Sequence, residues 1–290
     1  MRRADVQPML ELMRGFRTTA MVLGLLCGLP GTSLADTPAR VVSMNLCTDQ
    51  LAMMVAAPDQ LLSVSYLAFD PRGSAMADEA AAYVPNRGLA EDIFLMQPDL
   101  VIAGSFSTRA TVQMLRRLGI PVVIFDPAYS LDDVRDRIAQ MGDVLGQQGR
   151  AADMIADYDA QLSALQTEVS ARPRAALYYA NGYTSGDRTL AGHILTAAGF
   201  DNVAAEAGFA NGGVMPLEVL AMTAPDAVIT AKPYPGASRA EEVLDHPVVQ
   251  SLSASRATGS FTDRDWVCGT PFVLRAIEDM AALRREMAAQ

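Results

Sequence analysis

Lysine is almost missing from this 290-residue chain: Lys232 is the single one. With 33 acidic against 23 basic residues, the formal net charge is −10. No polybasic stretch exists, which argues against nucleic-acid binding, because that needs Lys and Arg clustered on one face. Histidine is equally scarce, with only His193 and His246. Two histidines are a poor basis for a bare zinc or manganese site, where several imidazoles and carboxylates converge. They also weaken an enzymatic reading. Gly182-Tyr183-Thr184-Ser185-Gly186 misses the nucleophile-elbow pattern because Thr184 stands at its centre, with no suitably placed histidine after it. A nucleophile at Cys47 would need His193 or His246 beside it. Beyond the N-terminus no apolar run is long enough for a membrane span. Apolar residues in general are plentiful, at 50% of the chain, enough for one large or two ordinary cores.

The N-terminus carries its own signal. Arg14 and Arg17 precede an apolar run from Ala20 to Leu29, and Ser33-Leu34-Ala35 offers a small-x-small exit. A positive flank, a short apolar core and a small-residue exit predict a cleaved secretory signal peptide over residues 1–35. Translation could begin at Met9 or Met13, and the bulk of Leu26 before Cys27 disfavours lipid attachment. Cleavage leaves two cysteines, Cys47 and Cys268. In an oxidising compartment these can form one disulfide or stay as two buried thiols.

Alternating strand-like and helical stretches predict an α/β fold with mostly parallel sheets flanked by helices. Arg40–Met44, Leu61–Ser65, Asp99–Ala103 and Pro121–Phe125 read as strands, and Thr108–Leu118 as a helix stopped by Gly119. These make an N-terminal lobe over 36–147. Ala175–Tyr179 and Asp226–Thr230 read as strands, and Thr189–Ala198 and Thr270–Met287 as helices, of a C-terminal lobe over 173–290. Between the lobes, Met154, Tyr158, Leu162, Leu165 and Val169 form an apolar stripe at the helical period. With no Gly or Pro between Arg150 and Arg172, one long backbone helix over 148–172 is expected to join the lobes. A three-heptad coiled-coil dimer fits less well between two α/β lobes.

One segment is used twice. Glu91 to Pro98-Asp99 and on to Ile102 matches Glu218 to Pro225-Asp226 and on to Ile229. Each copy reads as a short helix, a Pro-Asp break and a buried strand. Proline cannot continue the helix and biases its predecessor toward extended geometry. An opening Glu favours the helix dipole.

This repeat, the long central helix, Val41-Val42-Ser43-Met44-Asn45 with Thr48-Asp49, Thr184-Ser185-Gly186 and Asp265-Trp266 together resemble a family. It is the class of periplasmic ABC-transporter binding proteins that carry cobalamin, iron-siderophores or haem, and the resemblance covers the mature chain. It implies a non-enzymatic, monomeric periplasmic carrier with no cofactor or resident metal. Glu91 and Glu218 would dock transiently on arginines of a permease dimer. The ligand, a large metal chelate, would sit between the lobes at the C-terminal strand ends, as in open α/β sheets generally. Tyr66, Phe69, Phe106, Tyr183 and Trp266 would grip its planar faces, and Arg72 and Arg109 its acidic groups. For haem, Tyr66, Tyr129 or Tyr183 could supply an axial ligand. A Cys47–Cys268 bridge would tie the lobes across the cleft or fasten two adjacent loops.

Overall fold

The computed structural model describes residues 37–289 apart from 167, 168, 170, 233–235, 237, 256 and 262. The expected leader, residues 1–35, lies outside the described residues.

The N-terminal lobe runs β1 (Val41–Ser43), α1 (Leu46–Val55), β2 (Leu61–Ser65), α2 (Ala77–Ala80), β3 (Val84–Asn86), α3 (Ala90–Leu95), β4 (Leu100–Gly104), α4 (Arg109–Arg117), β5 (Val122–Phe125) and α5 (Leu131–Leu145). All four strand pairings are parallel, and the sheet order is β3-β2-β1-β4-β5. Helix α6 (Gln148–Leu165) follows. The C-terminal lobe comprises β6 (Arg174–Leu177), β7 (Tyr183–Thr184), α7 (Leu190–Ala197), β8 (Asp201–Asn202), α8 (Val203–Glu206), β9 (Gly213–Val214), α9 (Leu217–Thr223), β10 (Ala227–Ala231), α10 (Pro247–Ser255), β11 (Ala257–Phe261), α11 (Asp263–Trp266) and α12 (Val273–Ala288). Its main sheet, β11-β10-β6-β8, is again parallel, while β7 and β9 form a small antiparallel pair. Parallel strands must be covered on both faces, and the central ones are: Val41, Val42, Val101, Ile102, Val228 and Ile229 are all fully buried.

The expected connecting helix is shorter than its apolar stripe suggests. It ends at Leu165, with Gln166 as its cap, so its 18 residues extend about 27 Å at 1.5 Å per residue. Nor is it a bare strut. Tyr158 and Leu162 are buried, and the Tyr158 hydroxyl donates to the Leu131 carbonyl of α5 at 3.2 Å. Helix α6 packs along α5 on one side and α12 on the other. One continuous apolar cluster therefore runs through both lobes, from Ile138 and Met141 through Tyr158 to Ile194, Ile277 and Met280.

The repeated segment is a latch built the same way in each lobe. At the end of α3, Arg40 donates from Nε and Nη2 to the carbonyls of Gln97 and Met96, at 3.0 and 2.6 Å. At the end of α9, Arg174 donates from Nη1 to the Thr223 carbonyl at 2.6 Å. These are the carbonyls a helix C-terminus leaves without partners. The Asp of each Pro-Asp pair returns the bond: Asp99 accepts from the N–H groups of Ala39 and Arg40, and Asp226 from that of Arg174. The residue before each proline is not extended, as its neighbour would bias it to be. Gln97 and Ala224 have φ of 51° and 44°, because the chain must turn back sharply to reach the latch.

Candidate ligand-binding cleft

In the sheet order β3-β2-β1-β4-β5, the connections leave in opposite directions on either side of β1 and β4. The crevice outside such a switch point is the general ligand site of open α/β sheets. A cavity of about 330 Å³ lies there, lined by Asn45, Cys47 and Thr48 beyond β1, by Ser105 and Phe106 beyond β4, and by Arg137 of α5. Asn45 holds the corner: its side chain accepts from the Cys47 N–H at 3.1 Å and so caps α1. Gly104 makes room for it, since a Cβ there would lie 2.9 Å from the Asn45 side chain. The segment after β1 is thus already the first turn of a helix.

The C-terminal sheet repeats the arrangement at β6 and β10. Its cavity, about 510 Å³, is lined by Tyr179 and Ala180 beyond β6, Ala231 at the end of β10, and Ser185, Glu241, Asp263 and Trp266. Burial pushes the Tyr179 phenol far up, against an opposing hydrogen bond with Ser185, so it stays protonated. Val267 borders both cavities. The segment from α11 to Gly269 is therefore the floor they share, and it is fastened to the N-terminal lobe at several points. The Arg264 N–H donates to the Arg72 carbonyl at 3.0 Å. A Cβ on Gly269 would lie 2.1 Å from the Ala128 Cβ. Cys47 and Cys268 face each other with Cα atoms 5.1 Å apart, a spacing that suits a disulfide.

The residues singled out in the sequence divide between these places. Trp266 lines the larger cavity but is only 6% exposed, packed into the common core. Phe106 stands at the smaller cavity, 83% exposed. Arg109, at the start of α4, lines an adjoining hollow with Ser105, Ser107 and Arg116. Tyr66, Phe69, Arg72 and Tyr183 line none of these three cavities. The Tyr66 ring carries the Arg87 guanidinium 5.9 Å above it. Phe69 packs against the core, Arg72 pairs with Asp70 at 2.8 Å, and Tyr183 belongs to the β7–β9 pair. Tyr129 is exposed and also outside the cavities. Glu91 and Glu218 are exposed in the first turns of α3 and α9.

Among the cavity residues that were not anticipated, Tyr179 and Arg137 carry chemistry. Tyr179 was read only as the end of a strand. Arg137 faces the smaller cavity from α5, with Nη1 donating to Gln140 at 2.9 Å and Nε without a partner among the described residues. The sign available for it was an arginine beside the core positions Val134 and Ile138 of an amphipathic helix. Among the described residues no group of three or more His, Cys, Asp or Glu is placed to hold a metal ion.

Comparison with known proteins meets this geometry. The family of periplasmic binding proteins matches residues 41–264. The chain belongs to that family, which is one of binding proteins rather than enzymes. It is 30% identical over 203 residues to the cobalamin-binding protein of Halobacterium salinarum, covering 68% of this chain and 55% of that one. The chain thus spans about half the length of that relative. It is 26% identical to the vitamin B12-binding protein of Yersinia pestis over 66% of this chain and 67% of the relative. Its fold is that of the periplasmic heme-binding protein RhuT from Roseiflexus sp. RS-1, with a TM-score of 0.71, 22% identity, and coverage of 86% and 98%.

Proposed function

We propose that this chain is the exported solute-binding component of an ABC importer. It captures a large metal chelate, cobalamin or a ferric siderophore, between its two sheet ends and delivers it to a membrane permease. The observation that supports this most is the pair of cavities at matching switch points, bordered by one shared floor. A two-sided ligand fits that plan better than a small solute held in one lobe. Relatives named for cobalamin and vitamin B12 favour the corrinoid. In this reading residues 1–35 are a cleaved leader and the mature protein is periplasmic. Residues 36–147 and 173–290 are the lobes, and 148–172 the connection. Cys47 and Cys268 are bridged after export.

Phe106 and Trp266 would supply the apolar contact, with Arg137 and Arg109 left to meet carboxylate or phosphate groups. Tyr66, Phe69, Arg72 and Tyr183 would take part only at the outer rim. Glu91 and Glu218, one on each lobe, would dock on permease arginines. Such exposed ion pairs are worth roughly 0–1 kcal/mol each, which keeps docking transient and salt-sensitive.

Thermal denaturation against a panel of corrinoids, ferric siderophores and haemin tests the reading. At a concentration one hundred times Kd, the ligand stabilises the native state by about 2.7 kcal/mol. That is roughly 5–10 °C for a chain of this size. If every chelate leaves the transition unmoved, the proposal falls. A haem carrier is the second reading, favoured by Tyr179 standing in the larger cavity. Haemin binding with a Soret change lost in Tyr179→Phe would select it.

A further inference from the structure

Three large apolar side chains stand out as the most exposed among the described residues: Leu95 at 78%, Phe106 at 83% and Met222 at 84%. Phe106 belongs to the cleft. The other two occupy the same position in the repeat. Leu95 follows Glu91 by four residues on α3, and Met222 follows Glu218 by four on α9. Residues four apart lie on one helix face with Cβ atoms about 5–6 Å apart. Each lobe therefore presents a carboxylate and, one turn on, an uncovered apolar side chain. Further exposed apolar groups flank both pairs, Leu89 and Phe94 at α3 and Val214 beside α9.

A single exposed leucine needs no explanation. The same carboxylate-plus-apolar pair on both lobes, in segments otherwise only loosely alike, does. The latch accounts for the Pro and Asp of the repeat and for the distant arginine that meets each copy, yet it leaves Leu95 and Met222 with no structural duty. Both could be polar at no cost to the fold, and polar residues would be better for solubility.

We infer that Leu95 and Met222 are the apolar half of the docking surface, each seated in a hollow beside an arginine on one of two equivalent permease subunits. The inference rests on the proposed docking of Glu91 and Glu218 and adds what those carboxylates lack. Ion pairs alone would fade with salt, whereas an apolar contact is insensitive to it. The carboxylate sets the encounter and the side chain one turn away sets how long it lasts. A second copy of this chain is a poor occupant, because two acidic tips would face each other in a molecule of net charge −10.

The test is docking of the ligand-free protein to its permease–ATPase complex in nanodiscs, at low and high salt. Leu95→Gln and Met222→Gln should each raise Kd roughly tenfold, the share of a buried Leu or Met side chain that one such contact would recover. That factor should be equal at both salt concentrations, with melting temperature and chelate affinity unchanged. Glu91→Arg with Glu218→Arg should instead remove the salt-dependent part. If the Arg pair weakens docking while the Gln variants match wild type, the inference is overturned and the proposed docking stands. If the Arg pair docks like wild type, both fall. Self-association of the wild type that the Gln pair abolishes would make a second copy the occupant and overturn the inference as well.

Discussion

Cutting the Cys47–Cys268 connection is the perturbation whose size follows most directly from the fold. The two residues are 221 positions apart, so a bridge closes nearly the whole mature chain into one loop. In the chain-entropy picture, closing a loop of that length removes about 5 kcal/mol of conformational freedom from the unfolded state. The folded state should hardly notice its loss. The Arg264 N–H still donates to the Arg72 carbonyl, and the apolar cluster still runs through both lobes. The paired Cys47→Ser and Cys268→Ser variant is the cleaner form, since one cysteine alone would leave a reactive thiol. Urea unfolding of the leader-free chain should lose about 5 kcal/mol relative to the unreduced wild type, and thermal unfolding roughly 10–20 °C. Reductant should bring the wild type to the variant's midpoint and leave the variant unmoved. Two titratable thiols in the denatured, unreduced protein would refute the bridge. A loss under about 1 kcal/mol with no thiols found would refute the loop argument itself.

Other predictions follow from single residues. Burial pushes the Asp49 carboxyl from 3.8 up to about 6, against the hydroxyls of Ser43 and Ser65. The folded state then holds a proton that the unfolded chain has lost, so stability falls as pH rises from about 4 to about 6. The fall amounts to about 3 kcal/mol. Asp49→Asn should flatten that slope, and urea midpoints with the same pH dependence as wild type would sink the argument. Trp266→Ala should cost about 3–5 kcal/mol of stability, as removal of a buried aromatic does. Trp266 emission should change on chelate binding, and an unchanged spectrum on saturation removes it from the site. Reversing Glu91 and Glu218 together to Arg should abolish uptake in cells while chelate affinity holds; normal uptake would end the docking assignment.

How far the sequence disclosed this arrangement depended on range. Strand β2 falls where it was read, and β1, β4 and β5 within a residue or two; for the central β1 and β4, buried on both faces, the apolar run itself marks the strand. The strands β8 and β9 are two residues each, too short for any period to show. Helix α1 was hidden behind its cap, although Asn45 before an apolar stretch is the usual signal of a helix start. The latch was half legible: Pro-Asp announced the joint, but Arg40 and Arg174 lie 56 and 49 positions before the carbonyls of Met96 and Thr223 that they hold. Cleft residues fared worst. A strand's C-terminal end says where a loop begins, not which way its side chains turn. Phe106 stands out at a cavity, Trp266 borders one while packed into the core, and Phe69 lies against the core away from all three.

Gly269 offers the sharpest way to ask whether the cleft's two halves are held or free. The floor segment comes so close to the N-terminal lobe there that an added methyl would lie 2.1 Å from the Ala128 Cβ. Carbon atoms touch at about 3.5–4.0 Å, so Gly269→Ala must push the segment away from Ala128 by more than 1 Å. The neighbours Cys268 and Val267 would move with it, and Val267 borders both cavities. Overpacking of this kind costs about 1–3 kcal/mol, and a chelate fitted across a fixed floor should lose at least roughly tenfold in affinity, about 1.4 kcal/mol. Gly149→Ala is the control. Nothing lies within 4 Å of a Cβ at that helical position, so it should stabilise by about 0.5–1 kcal/mol and leave binding alone. If the lobes swing freely about α6, the segment can yield and Gly269→Ala will bind like wild type. The core common to both lobes says otherwise: rigid-body opening would have to expose part of the cluster between Tyr158 and Ile277. On the proposed reading, the chelate would then be captured between surfaces already in place.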